Sequence, residues 1–248
     1  MARKTQKSSI MSMRTTLILY AILPLLISSV ILSAILIGKS SKDMEKNTNN
    51  SLVSIVNESG IAFDYVTKKN EELLQTYSTA PIVKEALKNP NDAAIVAKAQ
   101  QYTLDYFASL EGWEGLYIAD WNTKVITHPV EAVIGKVLRE GDSLKSLQES
   151  MLGADGVLNT GIMESPSTGQ LVMSMYYPVM EGDTPIGYVG GATLVSGTAG
   201  NVSDVSTLGY KSAYIYYVDR EGTMLFHPDE SKIGNPVENA AVKGLVAE

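Results

Sequence analysis

Residues 117–136, YIADWNTKVITHPVEAVIGK, return without a gap as residues 216–235, YYVDREGTMLFHPDESKIGN, at an offset of 99. Tyr117 meets Tyr216, Asp120 meets Asp219, His128 meets His227, Pro129 meets Pro228, Glu131 meets Glu230, Ile134 meets Ile233 and Gly135 meets Gly234. The only two histidines of the chain share one slot. A fixed internal period sets the architecture ahead of any local signal, so the chain reads as two copies of one module.

Inside the first copy, short apolar runs from Leu116 to Ala119 and from Lys124 to Thr127 flank Asp120-Trp121-Asn122-Thr123, a hairpin pattern. The second copy has Asp219-Arg220-Glu221-Gly222 at that turn. Downstream, a helical stretch around Leu144 to Met151 precedes three expected strands at 157–163, 171–177 and 186–195. Their separators are Ser165-Pro166-Ser167-Thr168-Gly169 and Glu181-Gly182-Asp183. Upstream, Pro81 and the Lys88-Asn89-Pro90-Asn91-Asp92 cluster punctuate the chain before a helical pattern that runs to about Leu110. This order predicts a small α+β module on an antiparallel sheet. The second copy is expected to begin near Ser212. Glu248 matches Glu149 at the offset, so about 47 residues and three closing strands of that copy are missing, as in the front part of a longer protein.

Between Arg14 and Lys39 stand 24 uncharged residues, TTLILYAILPLLISSVILSAILIG, longer than the roughly 20 that cross a hydrocarbon core as a helix. The run is too long for a signal peptide and has no A-x-A cleavage pattern. The first 42 residues carry six basic groups and no acid, leaving 14 basic and 27 acidic groups beyond them. That asymmetry puts residues 1–14 in the cytoplasm, makes 15–38 a transmembrane helix with Pro24 inside it, and places the rest outside the cell. The acidic body argues against nucleic acid as a partner. With no cysteine, disulfides and thiolate metal sites are excluded.

Leu52, Val56, Ser59, Phe63, Val66, Asn70, Leu73 and Tyr77 follow steps of four and three residues on an expected helix of about 40 residues. Such a seam either pairs with a second subunit, giving a homodimer, or packs against its own module.

The membrane anchor, the long helix and two modules carrying strand-turn-strand-H-P-x-E-x-x-I-G resemble the double Cache sensor region of bacterial methyl-accepting chemotaxis receptors. The resemblance spans residues 15 to 248. It implies a PAS-like membrane-distal Cache module at 39–199, long helix included, and the start of a truncated membrane-proximal module at 200–248. It further implies chemotaxis signal transduction in the cell membrane, a small extracellular ligand bound on one face of the distal sheet, and transmission by the helix. Sensor histidine kinases and diguanylate cyclases carry similar regions, and a membrane-anchored adhesive module is a further alternative. Amino-acid-binding members carry R-x-W-Y after the I-G, an Asp before the T-G turn and an Asp in the last strand. Here those places hold KVLREGDSLKSLQESM, Ser165 with Glu164 adjacent, and Ala192. An α-amino acid needs a carboxylate for its ammonium and a cation for its carboxylate, and both are expected to be missing.

Alternation along 171–177 sends Val172, Ser174 and Tyr176 to one face, opposite Leu171, Met173, Met175 and Tyr177 on the better core face. Ser174 and Tyr176, with Tyr117, Tyr188 and Glu164, are the candidate ligand-binding residues; an apolar cleft with few polar groups is the usual form of a small-molecule site. His128 and His227 each precede a proline at a strand end and read as turn-shaping residues. A zinc site would need three or four converging ligands. The carboxylates within 111–120 and 181–183 read as solvated turn residues. No G-x-S-x-G, H-E-x-x-H or phosphate-binding glycine loop occurs, so neither enzyme activity nor a cofactor is expected.

Overall fold

The computed structural model describes residues 13–166, 168–202 and 213–246. Arg3, Lys4, Lys7, Ser167 and the expected start of the second copy near Ser212 lie outside them. The chain divides into two compact units, Met1–Asn57 and Glu58–Glu248. Helix α1 runs from Met13 to Ser78, 66 residues, and contains one stretch long and apolar enough to be a candidate membrane span. Its apolar side chains there, such as Leu17, Leu25 and Ile35, are exposed.

In the Glu58–Glu248 unit, α1 is followed by α2 (Pro81–Lys88) and α3 (Ala93–Ala108). Pro81 opens α2 at its first turn, where a missing N–H costs nothing. The sequence punctuation at Pro81 thus marks a helix start. Asp92 caps α3 by accepting from the backbone N–H groups of Ala94 (2.9 Å) and Ile95 (3.2 Å). Strands β1 (Trp113–Asp120) and β2 (Val125–Thr127) form the expected hairpin. Then come α4 (Gly141–Gly153), β3 (Leu158–Glu164), β4 (Leu171–Glu181) and β5 (Thr184–Leu194). The strands form one antiparallel sheet in the order β2-β1-β5-β4-β3, the α+β architecture expected.

One face of this sheet is the core. Met175, Val179, Val189, Leu116 and Ile118 pack on Leu74 and Tyr77 of α1, Val83 and Leu87 of α2 and Ala99 of α3. Burying each of these larger side chains contributes about 1.5–3 kcal/mol. A line of hydroxyls crosses this layer: Tyr77 Oη lies 2.6 Å from Thr103 Oγ1, and Thr103 and Thr127 hydroxyls are 2.8 Å apart. It ties α1 and α3 to β2 without leaving a polar group unpaired. Of the expected seam, Ser59, Asn70 and Tyr77 are buried within this unit, while Leu52 and Val56 are exposed.

Helix α5 (Val195–Val202) leaves β5, and the second copy contributes β6 (Tyr217–Val218), β7 (Met224–Phe226) and α6 (Ala240–Val246). The offset of 99 holds bond for bond. Val125 N–H donates to Lys136 O at 2.9 Å, and Met224 N–H to Asn235 O at 2.9 Å; Gly135 N–H donates to Val125 O, and Gly234 N–H to Met224 O, both at 2.8 Å. Asp120 Oδ1 accepts from Asn122 and Lys124, as Asp219 Oδ1 does from Glu221 and Thr223.

Candidate functional site

The face of the sheet opposite the helical core carries a cavity of about 430 Å³ between β1, β4, β5 and the chain that returns from β2. Four of the five expected ligand residues line it: Tyr117, Ser174, Tyr176 and Tyr188. Antiparallel register sets them in rows, with Tyr117 and Tyr176 both opposite Gly190 of β5 and Ser174 opposite Ala192. Gly190 has to be glycine, because a Cβ there would stand 2.2 Å from Cζ of Tyr117. The Tyr117 ring lies across the bare backbone of β5 and meets Tyr188 edge-on at 6.0 Å; Tyr188 meets Tyr176 at 6.0 Å as well. Such aromatic pairs add about 0.5–1.5 kcal/mol each beyond area burial.

The fifth residue, Glu164, is elsewhere. Met163 faces the cavity, so alternation turns Glu164 away, into a separate hollow beside Leu225 and Ile233.

Two charged residues of the cavity wall were not among the candidates. Arg139 points a guanidinium at it: Nη2 donates to Tyr176 Oη at 3.4 Å, Nη1 to Ser143 Oγ at 3.2 Å, and Cζ lies 6.0 Å from the Tyr176 ring centre. The expectation that no cation serves this pocket is therefore corrected. R-x-W-Y is indeed missing, but the loop after Gly135 delivers an arginine by another route. Glu114 is the second. It is not a turn residue but lies on β1, accepts a hydrogen bond from Thr168 Oγ1 and borders the cavity. The expected strand began at Leu116, whereas β1 begins at Trp113, with a bulge between Trp113 and Gly115. The extra residue reverses the alternation, sending Trp113 into the core and both Glu114 and Gly115 to the cavity.

Burial holds the Tyr117 and Tyr188 phenols above their usual ionisation, and their mutual repulsion adds to this for Tyr117. Tyr117 is half-buried, lining the cavity. Tyr188 is fully buried; its hydroxyl interacts with that of Tyr117, though the two do not meet good hydrogen-bond geometry. The Tyr176 hydroxyl holds Arg139 above its ordinary value. The wall thus offers neutral phenols at Tyr117 and Tyr188 and the Arg139 guanidinium.

His128 borders the same cavity. Its Nδ1 accepts the Val130 N–H at 2.9 Å, just as His227 Nδ1 accepts the Asp229 N–H at 2.9 Å; both histidines fold the His-Pro turn. Gln100 of α3 grips the His128 backbone at both ends, accepting at 3.0 Å and donating at 2.8 Å. Burial lowers the His128 ionisation from its ordinary value. Among the described residues no group of three or more His, Asp or Glu side chains is placed to hold a metal ion.

Against solved structures, the chain matches the sensor domain of the histidine kinase DctB of V. cholerae at a TM-score of 0.60, with 14% identity, over 79% of this chain and 72% of that one. It matches a domain of a sensory box/GGDEF family protein from Vibrio parahaemolyticus at 0.58, with 16% identity, over 76% and 74%. The ligand-binding domain of the Pseudomonas fluorescens chemoreceptor CtaA, solved with L-valine, matches at 0.52, with 16% identity, over 80% and 83%. The first module has a Cache fold. At these identities the likeness establishes the fold, and the cavity of the Cache module rests on its own geometry. No family model matches the sequence, and no curated protein does.

Proposed function

We propose that this chain is the sensing portion of a transmembrane receptor whose Cache module binds a small carboxylate-bearing molecule outside the cell. The observation that carries the reading is Arg139, a guanidinium aimed into a tyrosine-lined cavity. Its planar fork matches a carboxylate bidentately. A volume of about 430 Å³ suits a metabolite rather than a peptide. Glu114 at the wall makes an ammonium-bearing carboxylate, an amino acid, the favoured subclass. Solved Cache-fold chemoreceptor domains with L-valine and with GABA give this choice its context.

The basic N-terminus and the candidate span support a cytoplasmic start and an external sensor. Exposed Leu52, Val53 and Val56 on α1 support pairing of two such helices in a homodimer. Ligand binding then biases two arrangements of the long helix, and the output is a chemotaxis signalling domain. Kinase and GGDEF proteins share the fold, so a sensor kinase or cyclase is the second reading of the output. The segment itself is read as non-enzymatic.

The test is a thermal-shift series on the full chain in detergent with L-valine, GABA, succinate and, as a carboxylate-free control, valinamide. A carboxylate at about a hundred times its Kd adds about 2.7 kcal/mol of stability, which raises Tm by several degrees, while valinamide does not. A shift with valinamide equal to that with L-valine, or no shift with any carboxylate, refutes the reading.

A further inference from the structure

We propose that Thr123 is a positioning residue that holds Arg139 in the cavity wall and so sets carboxylate affinity; this rests on the reading of the cavity given above. Thr123 is fully buried and, among the described residues, is the one non-glycine with a positive φ, 64°. A β-branched residue seldom adopts that conformation, since its Cβ crowds the backbone. The second copy makes the same turn with Gly222 at a φ of 84°. The backbone bond is shared: Leu138 N–H donates to Thr123 O at 3.1 Å, and Val237 N–H to Gly222 O at 2.8 Å. The turn therefore does not require a side chain at this position.

What threonine adds is one hydroxyl with two partners on one residue. Thr123 Oγ1 donates to Arg139 O and accepts from Arg139 N–H, each at 2.9 Å. Both backbone polar groups of Arg139 are thereby fixed to a buried atom of the β1–β2 hairpin, and the guanidinium is left to reach Tyr176 and Ser143. At the matching place the second copy has Glu238, paired with Lys232 at 3.0 Å and largely exposed. Glycine thus stands where the cavity-facing arginine is absent, and strained threonine where it is present. Strain of this kind persists where the surroundings over-determine it, and a binding group needs placement to about half an ångström.

The experiment uses the full chain in detergent micelles, labelled with ¹⁵N at arginine. Only Arg3, Arg14, Arg139 and Arg220 contribute side-chain signals, and Arg139→Lys assigns the one of interest. In the wild type the Arg139 Nε–H is expected to be rigid and to shift on titration with sodium acetate. In Thr123→Gly, which removes both hydroxyl and strain, melting stays close to wild type. Its Arg139 Nε–H becomes as mobile as that of Arg220, and acetate affinity falls up to about tenfold, the cost of ordering one long side chain on binding. Thr123→Asn, which tolerates left-handed φ but lacks the hydroxyl, repeats this loss if the glycine variant fails to fold. Thr123→Ser restores both readouts. Unchanged mobility and affinity in the glycine and asparagine variants overturn the assignment. Absence of any acetate-induced shift in the wild type refutes the carboxylate reading instead, while the mobility comparison still decides the role of Thr123.

Discussion

From Asp120 to Leu138 and from Asp219 to Val237 the two copies make the same turn, the same return and the same histidine-braced His-Pro corner, yet they present different chemistry. The first puts Arg139 beside three phenols; the second puts Glu238 at the surface against Lys232. Shared hydrogen bonds run through backbone atoms and through the Asp and His side chains that fold the turns. Differences lie in the side chains, both within the turns, where Asp229 caps Ser231 at the place of Val130, and beyond them. A repeated stretch thus keeps its backbone shape while most of its side chains change, those at 123 and 139 among them.

The largest effect is expected from making the first copy like the second. Arg139→Glu should abolish carboxylate binding, and Arg139→Ala should weaken it about 10- to 100-fold, the size of a charge-assisted hydrogen bond, as measured by calorimetry. Next is the floor of the cavity. Gly190→Ala sets a methyl against the Tyr117 ring and should cost about 1–3 kcal/mol by overpacking. A thermal melt would read this as a fall of several degrees, together with loss of ligand-induced stabilisation.

The repeat was legible because it is written in turn residues whose hydrogen bonds are local. The cavity face of β4 was legible for a similar reason: Ser174 and Tyr176 lie in an uninterrupted run, and period two holds there. Glu114 was not, since β1 starts three residues before the expected run at Leu116 and is bulged there. Arg139 was not, because nothing within its own stretch marks it. It reaches the cavity through a bond to Thr123, 16 residues earlier, and the matching position in the second copy is an acid. Glu164 was misplaced by one step of the strand.

Smaller effects sharpen the comparison. Tyr176→Phe removes the hydroxyl that meets Arg139 but keeps the ring beneath it, and should weaken binding only a few-fold by titration. His128 gives the mildest signal. Burial lowers its ionisation below the usual 6.5, so the unfolded chain binds the proton more readily. Its contribution to stability is complete above about pH 6.5 and is lost as pH falls through the folded value. Melting measured from pH 7.5 to 5 should drop more steeply in the wild type than in His128→Gln. Equal slopes would show that this group does not contribute.

Calorimetric titration of the full chain with L-valine, comparing wild type, Arg139→Ala and Glu238→Ala, tests the central claim most directly. Binding that survives Glu238→Ala and is lost or cut at least tenfold in Arg139→Ala is the predicted result. Undiminished binding in a folded Arg139→Ala protein, or loss of binding through Glu238→Ala alone, would contradict it.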